Sequence, residues 1–264
     1  MVNRNSSRLK NLPVGVFDSG LGGLTVVKEI INVLPNEDII YLGDTARVPY
    51  GTRSKIAVIR FSLEDAKFLI KKKVKVVVVA CNTASALAGK ELKKKLKIPV
   101  FEVVTPALKE AKKISKKGKI GVIGTRGTVQ SGAYKVSHLQ ACPLLVPFIE
   151  EGETDGKAIE IVLKSYLSPL KGKIDTLIMG CTHYPIIEKP IGKEIGKKVK
   201  LINPAKCVAN ELKEYLTRKK LLNPKKKPGR KEYYVTDLTT HFKNILTLFL
   251  GDRISVLRKI SLKR

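Results

Sequence analysis

The chain has 264 residues, 43% hydrophobic and 28% charged, enough for one large or two modest cores and unlike disordered, collagenous or coiled-coil sequences. Its apolar runs fall far short of the roughly 18 residues of a membrane span, and the polar start MVNRNSSRLKNLP lacks the apolar centre of a signal peptide. Lys and Arg outnumber Asp and Glu by 51 to 23, a net +28 that invites polyanion binding, but no Trp and 6% aromatic residues leave little for base stacking.

In chain order, short apolar runs at 14–17 and 39–42 read as strands. A helix follows, with Ile56, Ile59, Leu63, Ala66 and Ile70 on one face and Lys71, Lys72 and Lys73 at its end. Residues 74–80 then read as a strand covered on both faces, as in a parallel sheet. Further strands are expected at 100–104, 120–123, 176–179, 199–202 and 233–235, with helical patterns between most of them. Residues 223–231 read as an exposed loop, and the apolar stretch 245–250 as part of a tail returning to the first lobe. The alternation predicts an α/β fold with mostly parallel sheets and helices on both faces. Most of the lysine runs close helical patterns, where cations oppose the negative end of the helix dipole. They therefore predict non-specific polyanion affinity rather than a dedicated nucleic-acid site.

The chain also echoes itself. VGVFDSGLGGLTVV resembles KIGVIGTRGTVQSG about 106 positions on, and VVVVACNTASA is echoed by TLIMGCTHYP. Repetition at this spacing predicts two similar Rossmann-like lobes: residues 1–97 plus 207–264, carrying Cys81, and residues 98–206, carrying Cys181. Ligands of open α/β sheets bind beyond the carboxyl ends of the strands, so the two cysteines are expected to face each other across one cleft.

Nucleotide signatures fail. Thr25 stands where a dinucleotide fingerprint needs its third glycine, and no Gly-Lys is followed by Ser or Thr. There is no CxxC or HExxH, and the spacing of Cys181 and His183 matches no common zinc pattern. Four cysteines in a chain this long are no disulfide scaffold, so a soluble cytoplasmic protein is expected. Cys142 and Cys207 read as small apolar side chains. Cys81 and Cys181 each follow a strand at the start of a predicted helix, a position that lowers a thiol's pKa and suits a nucleophile or general base. Two such groups on opposite faces of a substrate suit inversion of a stereocentre: one removes a proton and the other delivers one.

The motifs DSGLGGLTV, GDTARVPYG, ACNTAS, GTRGTV, CPLLVPFIEEG and GCTHYP, in this order, closely resemble the cofactor-independent glutamate racemases of bacteria, as does YYVTDL at 233–238. The resemblance implies two-base racemisation of glutamate without pyridoxal phosphate or metal, supplying D-glutamate for peptidoglycan. It implies Cys81 and Cys181 as the two bases, assisted by Asp18 and His183. Ser19, Tyr50, Gly51, Asn82, Thr83 and Thr182 would line the substrate pocket, with Thr125 and Thr128 as further candidates for a carboxylate. Glu150 would touch the amino group or His183. It also implies a homodimer. Asn203 departs from the family, where an acidic residue is common. Plainer readings stand beside these: Asp18 and Ser19, or Asn82 and Thr83, as helix caps, Pro49-Tyr50-Gly51 as a turn, His183 as a structural histidine. Two other functions also fit the sequence: racemisation of aspartate or another amino acid, and nucleic-acid binding on a racemase fold.

Overall fold

The computed structural model describes residues 8–238 and 256–262. Two all-parallel sheets organise them. The first contains β1 (Val14–Asp18), β2 (Ile39–Gly43), β3 (Val76–Val79), β4 (Val100–Glu102), β9 (Lys231–Val235) and β10 (Leu257–Lys259), in the spatial order β10-β9-β2-β1-β3-β4. The second contains β5 (Ile120–Gly124), β6 (His138–Ala141), β7 (Thr176–Gly180) and β8 (Lys200–Ile202), in the order β6-β5-β7-β8. The run β2-β1-β3-β4 and the run β6-β5-β7-β8 have the same order, so the internal echo of the sequence is a repeated winding.

Helices cover both faces because the central strands are apolar on both. Val14 and Val16 of β1 and Val76 and Val78 of β3 pack against α1 (Leu24–Val33) and α9 (Pro204–Arg218). Phe17, Val77 and Val79 point the other way, toward α2 (Lys55–Lys71) and α3 (Asn82–Lys95). In the second lobe, Ile123, Leu177 and Met179 meet α6 (Leu145–Glu150), α7 (Gly156–Leu167) and α8 (Glu188–Ile195). Val122 and Ile178 meet α4 (Val104–Ile114) on the opposite face, and the short α5 (Arg126–Gln130) follows β5. Lys71, the run Lys93, Lys94 and Lys95, and the pair Lys112 and Lys113 occupy the last turns of α2, α3 and α4, where the dipole favours them.

Some expectations shift. The strand at 100–102 belongs to the first sheet, pairing Val100, Phe101 and Glu102 with Val77, Val78 and Val79, so the chain crosses between lobes after β4 and not at 97–98. Helix α2 forms where expected but is turned about its axis. Ile56 is 82% exposed and Ile70 37%, while Val58, Ser62, Asp65, Ala66 and Leu69 face inward. Apolar periodicity misplaced this face because two of its inward residues are polar. Strands β6 and β10 were not anticipated; both are short edge strands with little apolar alternation. The stretch 245–250 lies outside the described residues. Among those described, no helix is long and apolar enough to cross a membrane.

Candidate active site

In both lobes the first strand lies between the second and third, so the winding reverses where the first and third strands adjoin, the place where α/β sheets bind ligands. Asp18 ends β1, and Cys81 follows β3 by two residues. In the second lobe Thr125 follows β5 and Cys181 follows β7. Each lobe thus offers a cysteine beyond its third strand. Both thiols are almost fully buried, at 6% exposure, and close enough to interact electrostatically.

Their surroundings differ. Cys81 is the N-cap of α3 and its Sγ accepts from the Ala84 N–H at 3.5 Å, so Asn82 and Thr83 lie in the first helical turn and are not caps. The expected lowering of its pKa is overridden. Burial, then the nearby charge of Asp18, push the Cys81 thiol up to about 12, against a hydrogen bond from Ser19 and the Ala84 N–H. Cys181 is followed by a 3-10 turn, Tyr184–Ile187, in place of a regular helix. Its Sγ lies 3.7 Å from His183 Nδ1, while His183 Nε2 lies 3.0 Å from Glu150 Oε1. Burial alone would lower His183, but its bonds to Cys181 and Glu150 outweigh that and raise it to about 10. The imidazole therefore stands between a carboxylate and a sulfur, and both contacts favour its protonated form.

Asp18 is fully buried, with Oδ2 accepting from the Gly20 N–H at 3.0 Å. Burial pushes its carboxyl up; His183 and the N–H groups of Gly20 and Gly23 pull it back. Its other oxygen, Oδ1, has no hydrogen-bond partner among the described residues. Asp18 caps no helix, since α1 begins at Gly23 without a side-chain cap. Such a buried, half-satisfied carboxylate is costly unless a ligand completes it.

Contacts across the cleft join most of the remaining candidates. The hydroxyl of Thr83 lies 2.8 Å from that of Thr125 and 3.2 Å from that of Thr128. A Cβ on Gly51 would stand 2.7 Å from Thr125 Cβ, and one on Gly22 would stand 2.3 Å from Thr182 Oγ1 and 2.5 Å from His183 Nδ1. Asn82 Oδ1 accepts from Tyr134 at 3.0 Å. Tyr50 is brought to the cleft edge by its backbone only, because its hydroxyl turns away toward Asp44 and Asp65. Asn203, the departure noted above, caps α9 by accepting from the Ala205 N–H at 2.9 Å. Thr25, which no local pattern singles out as a site residue, donates to the Thr182 carbonyl at 2.9 Å; Tyr134 was missed in the same way. The lobes are close together, and the crevice beside Cys181, with Asn82 and Thr182 in its wall, has no room for a water-sized molecule. A cleft of about 970 Å³, with Asp44, Arg47 and Glu64 in its wall, contains neither thiol.

The family described as Asp/Glu/Hydantoin racemase matches residues 15–212. The chain belongs to that family. As a racemase it is an isomerase. Similar relatives include the glutamate racemase of Geobacter metallireducens, 45% identical over 261 residues, covering 95% of this chain and 97% of that one. Another is the glutamate racemase of Aquifex pyrophilus, 47% identical over 250 residues, covering 91% and 94%. Among solved structures, the Thermus thermophilus glutamate racemase in complex with beta-chloro-D-alanine superposes with a TM-score of 0.90 at 42% identity, covering 96% of this chain and 98% of that one. The Francisella tularensis glutamate racemase in complex with D-glutamate gives 0.89 at 42% identity, with the same coverage. The racemase fold therefore extends over nearly all of the chain.

Proposed function

We propose that the chain interconverts L- and D-glutamate by two-base proton transfer, with Cys81 and Cys181 as the bases. The observation that carries the reading is the pair of buried thiols beyond equivalent third strands of two lobes wound alike, each joined by an acid-base helper. In one direction a thiolate takes the α-proton and becomes a thiol. The opposite thiol gives its proton to the other face of the carbanion and becomes a thiolate. The configuration inverts, and the enzyme is left poised for the reverse reaction. Cys81, held neutral by burial and by Asp18, suits the donor role at rest, and Cys181 beside protonated His183 suits the acceptor role.

The α-proton of an amino acid is far less acidic than a thiol, so the developing carbanion must be stabilised by hydrogen bonds in a site closed to water. The hydroxyls of Thr83, Thr125 and Thr128 and the backbone around Gly51 are the groups we assign to the substrate carboxylates, with Ser19, Asn82 and Thr182 beside them. Asp18, with one oxygen unpartnered, is assigned to the substrate ammonium side of the site. Closure of one lobe on the other excludes water, and opening admits substrate. The product would supply D-glutamate to peptidoglycan, in the cytoplasm; four unpaired cysteines suit a reducing compartment.

The test is the decay of the optical signal of L-glutamate with purified, pyridoxal-free protein, chelator and reductant, with L-aspartate in parallel. Decay to zero with glutamate alone is expected. Decay with aspartate alone would move the specificity, and decay with neither would sink the reaction.

A further inference from the structure

Behind Tyr50 lies a buried polar cluster that none of the proton-transfer chemistry uses. The Tyr50 hydroxyl stands 2.5 Å from Asp44 Oδ2 and 2.9 Å from Asp65 Oδ2. Asp44 and Asp65 are both fully buried and Tyr50 is 1% exposed. A phenol has one hydrogen and can donate it to only one of the two carboxyls. If both were ionised, the second carboxylate would face the lone pairs of the phenol oxygen with no proton between them, at a cost that burial magnifies.

The other contacts decide which carboxyl takes the phenol hydrogen. Asp44 accepts from Arg47 Nε at 2.6 Å and from Thr236 Oγ1 at 2.9 Å, so with Tyr50 it has three donors, the satisfaction expected of a carboxylate. Beyond Tyr50, the one contact Asp65 makes among the described residues is the long one from Arg47 Nη2, 3.2 Å to Oδ1. Arg47 gives a further bond to Glu64 and stacks on Phe61 at 4.3 Å, so its single charge is divided among three acids. Burial and the neighbouring Asp44 both push the Asp65 carboxyl up, in agreement with the geometry.

We infer that Asp65 is a neutral carboxylic acid at working pH and a positioning residue for catalysis: it donates to Tyr50, Tyr50 donates to Asp44, and this directed chain sets the Tyr50–Gly51 backbone at the edge of the substrate site. Gly51 needs such placement. A Cβ there would meet Thr125 at 2.7 Å, and a Cβ on Gly127 would stand 3.1 Å from the Gly51 carbonyl, so a small rotation of Tyr50 would move the backbone that borders the inter-lobe contact. The chain also accounts for the inward turn of α2 that apolar periodicity misread, since Asp65 and Ser62 share its buried face.

The inference rests on the racemase reading for its kinetic readout, and the second readout is independent of turnover. Wild type, D65N, D44N and Y50F are compared for kcat and KM with L-glutamate, and by infrared difference spectra at neutral pH in the carboxylic-acid region. An asparagine at 65 keeps an N–H toward Tyr50 and a carbonyl toward Arg47, so D65N is expected within about twofold of wild type in both constants. Y50F and D44N are expected to raise KM about tenfold with kcat within about threefold, because they break a chain of buried, charge-assisted bonds behind a binding edge. The wild-type spectrum should contain a protonated-carboxyl band that D65N removes and Y50F retains. Equal KM penalties in D65N and D44N, an unchanged KM in Y50F, or no band lost in D65N would each overturn the assignment. Failure of wild type to racemise glutamate would sink the reaction and leave the infrared comparison as the test of the proton at Asp65.

Discussion

The two lobes wind their strands in the same order yet surround their cysteines differently. In the first lobe the thiol caps a 14-residue helix and lies beside a buried aspartate; in the second it stands before a 3-10 turn and beside an imidazole backed by a carboxylate. Backbone topology was duplicated, and polar chemistry was not. The helix N-terminus that should ease ionisation belongs to Cys81, whose thiol is nonetheless held up near 12. A few partial charges at a helix end do not offset complete burial beside an anion. The second thiol has instead an imidazole in contact, whose protonated form its two partners favour. The difference places one thiol beside a buried carboxyl and the other beside an imidazole, and the proposed exchange of roles between the two cysteines rests on that asymmetry.

The largest test of this comparison removes either thiol. Cys81→Ala and Cys181→Ala should each lower racemisation by at least about 10³-fold, the upper part of the range for loss of a general acid or base. If one variant kept near-normal turnover, the two-base reading would be wrong. His183→Asn is next. It should reduce kcat/KM about 10- to 100-fold, and equally for both enantiomers, because the equilibrium constant between mirror images is one. Glu150→Gln should act in the same direction with a smaller effect. Alkylation sharpens the contrast: at neutral pH, inactivation by a small haloacetamide should label Cys181 before Cys81, read by peptide mass spectrometry. Preferred labelling of Cys81 would reverse the proposed resting states.

Gly22→Ala probes the contact between lobes. Its Cβ would stand 2.3 Å from Thr182 Oγ1, and a destabilisation of about 1–3 kcal/mol is expected from denaturant unfolding, with a raised KM for glutamate. A further test is a slope in stability with pH. His183 is raised in the folded state, so its contribution is complete below the unfolded value of about 6.5 and is lost as pH rises toward 10. Unfolding free energy should therefore fall between pH 6.5 and 10, and the slope should lessen in His183→Asn. An unchanged slope would show that the imidazole is not held charged.

Sequence reading reached the α/β class, the internal echo and the two cysteines because each has a local signature: apolar strands of four or five residues, loops of small polar residues, and motifs in a fixed order. That Asp18, Thr83, Thr182 and His183 lie beside the cleft was legible for the same reason, each being within a few residues of a strand end. The buried face of α2 was not, because Asp65 is tolerated inside only through Arg47 and Tyr50, residues 18 and 15 positions away. Thr25 and Tyr134 were invisible for a like reason: their partners, Thr182 and Asn82, are 157 and 52 positions distant.

The sequence by itself therefore determined the alternation of strand and helix, the duplicated plan and the family, since hydrophobic periodicity and motif order are properties of neighbours along the chain. Only the tertiary structure decided which strand joined which sheet, that β4 stays with the first lobe, and how far each titratable group is displaced. Those outcomes depend on burial and on charges brought together from distant positions.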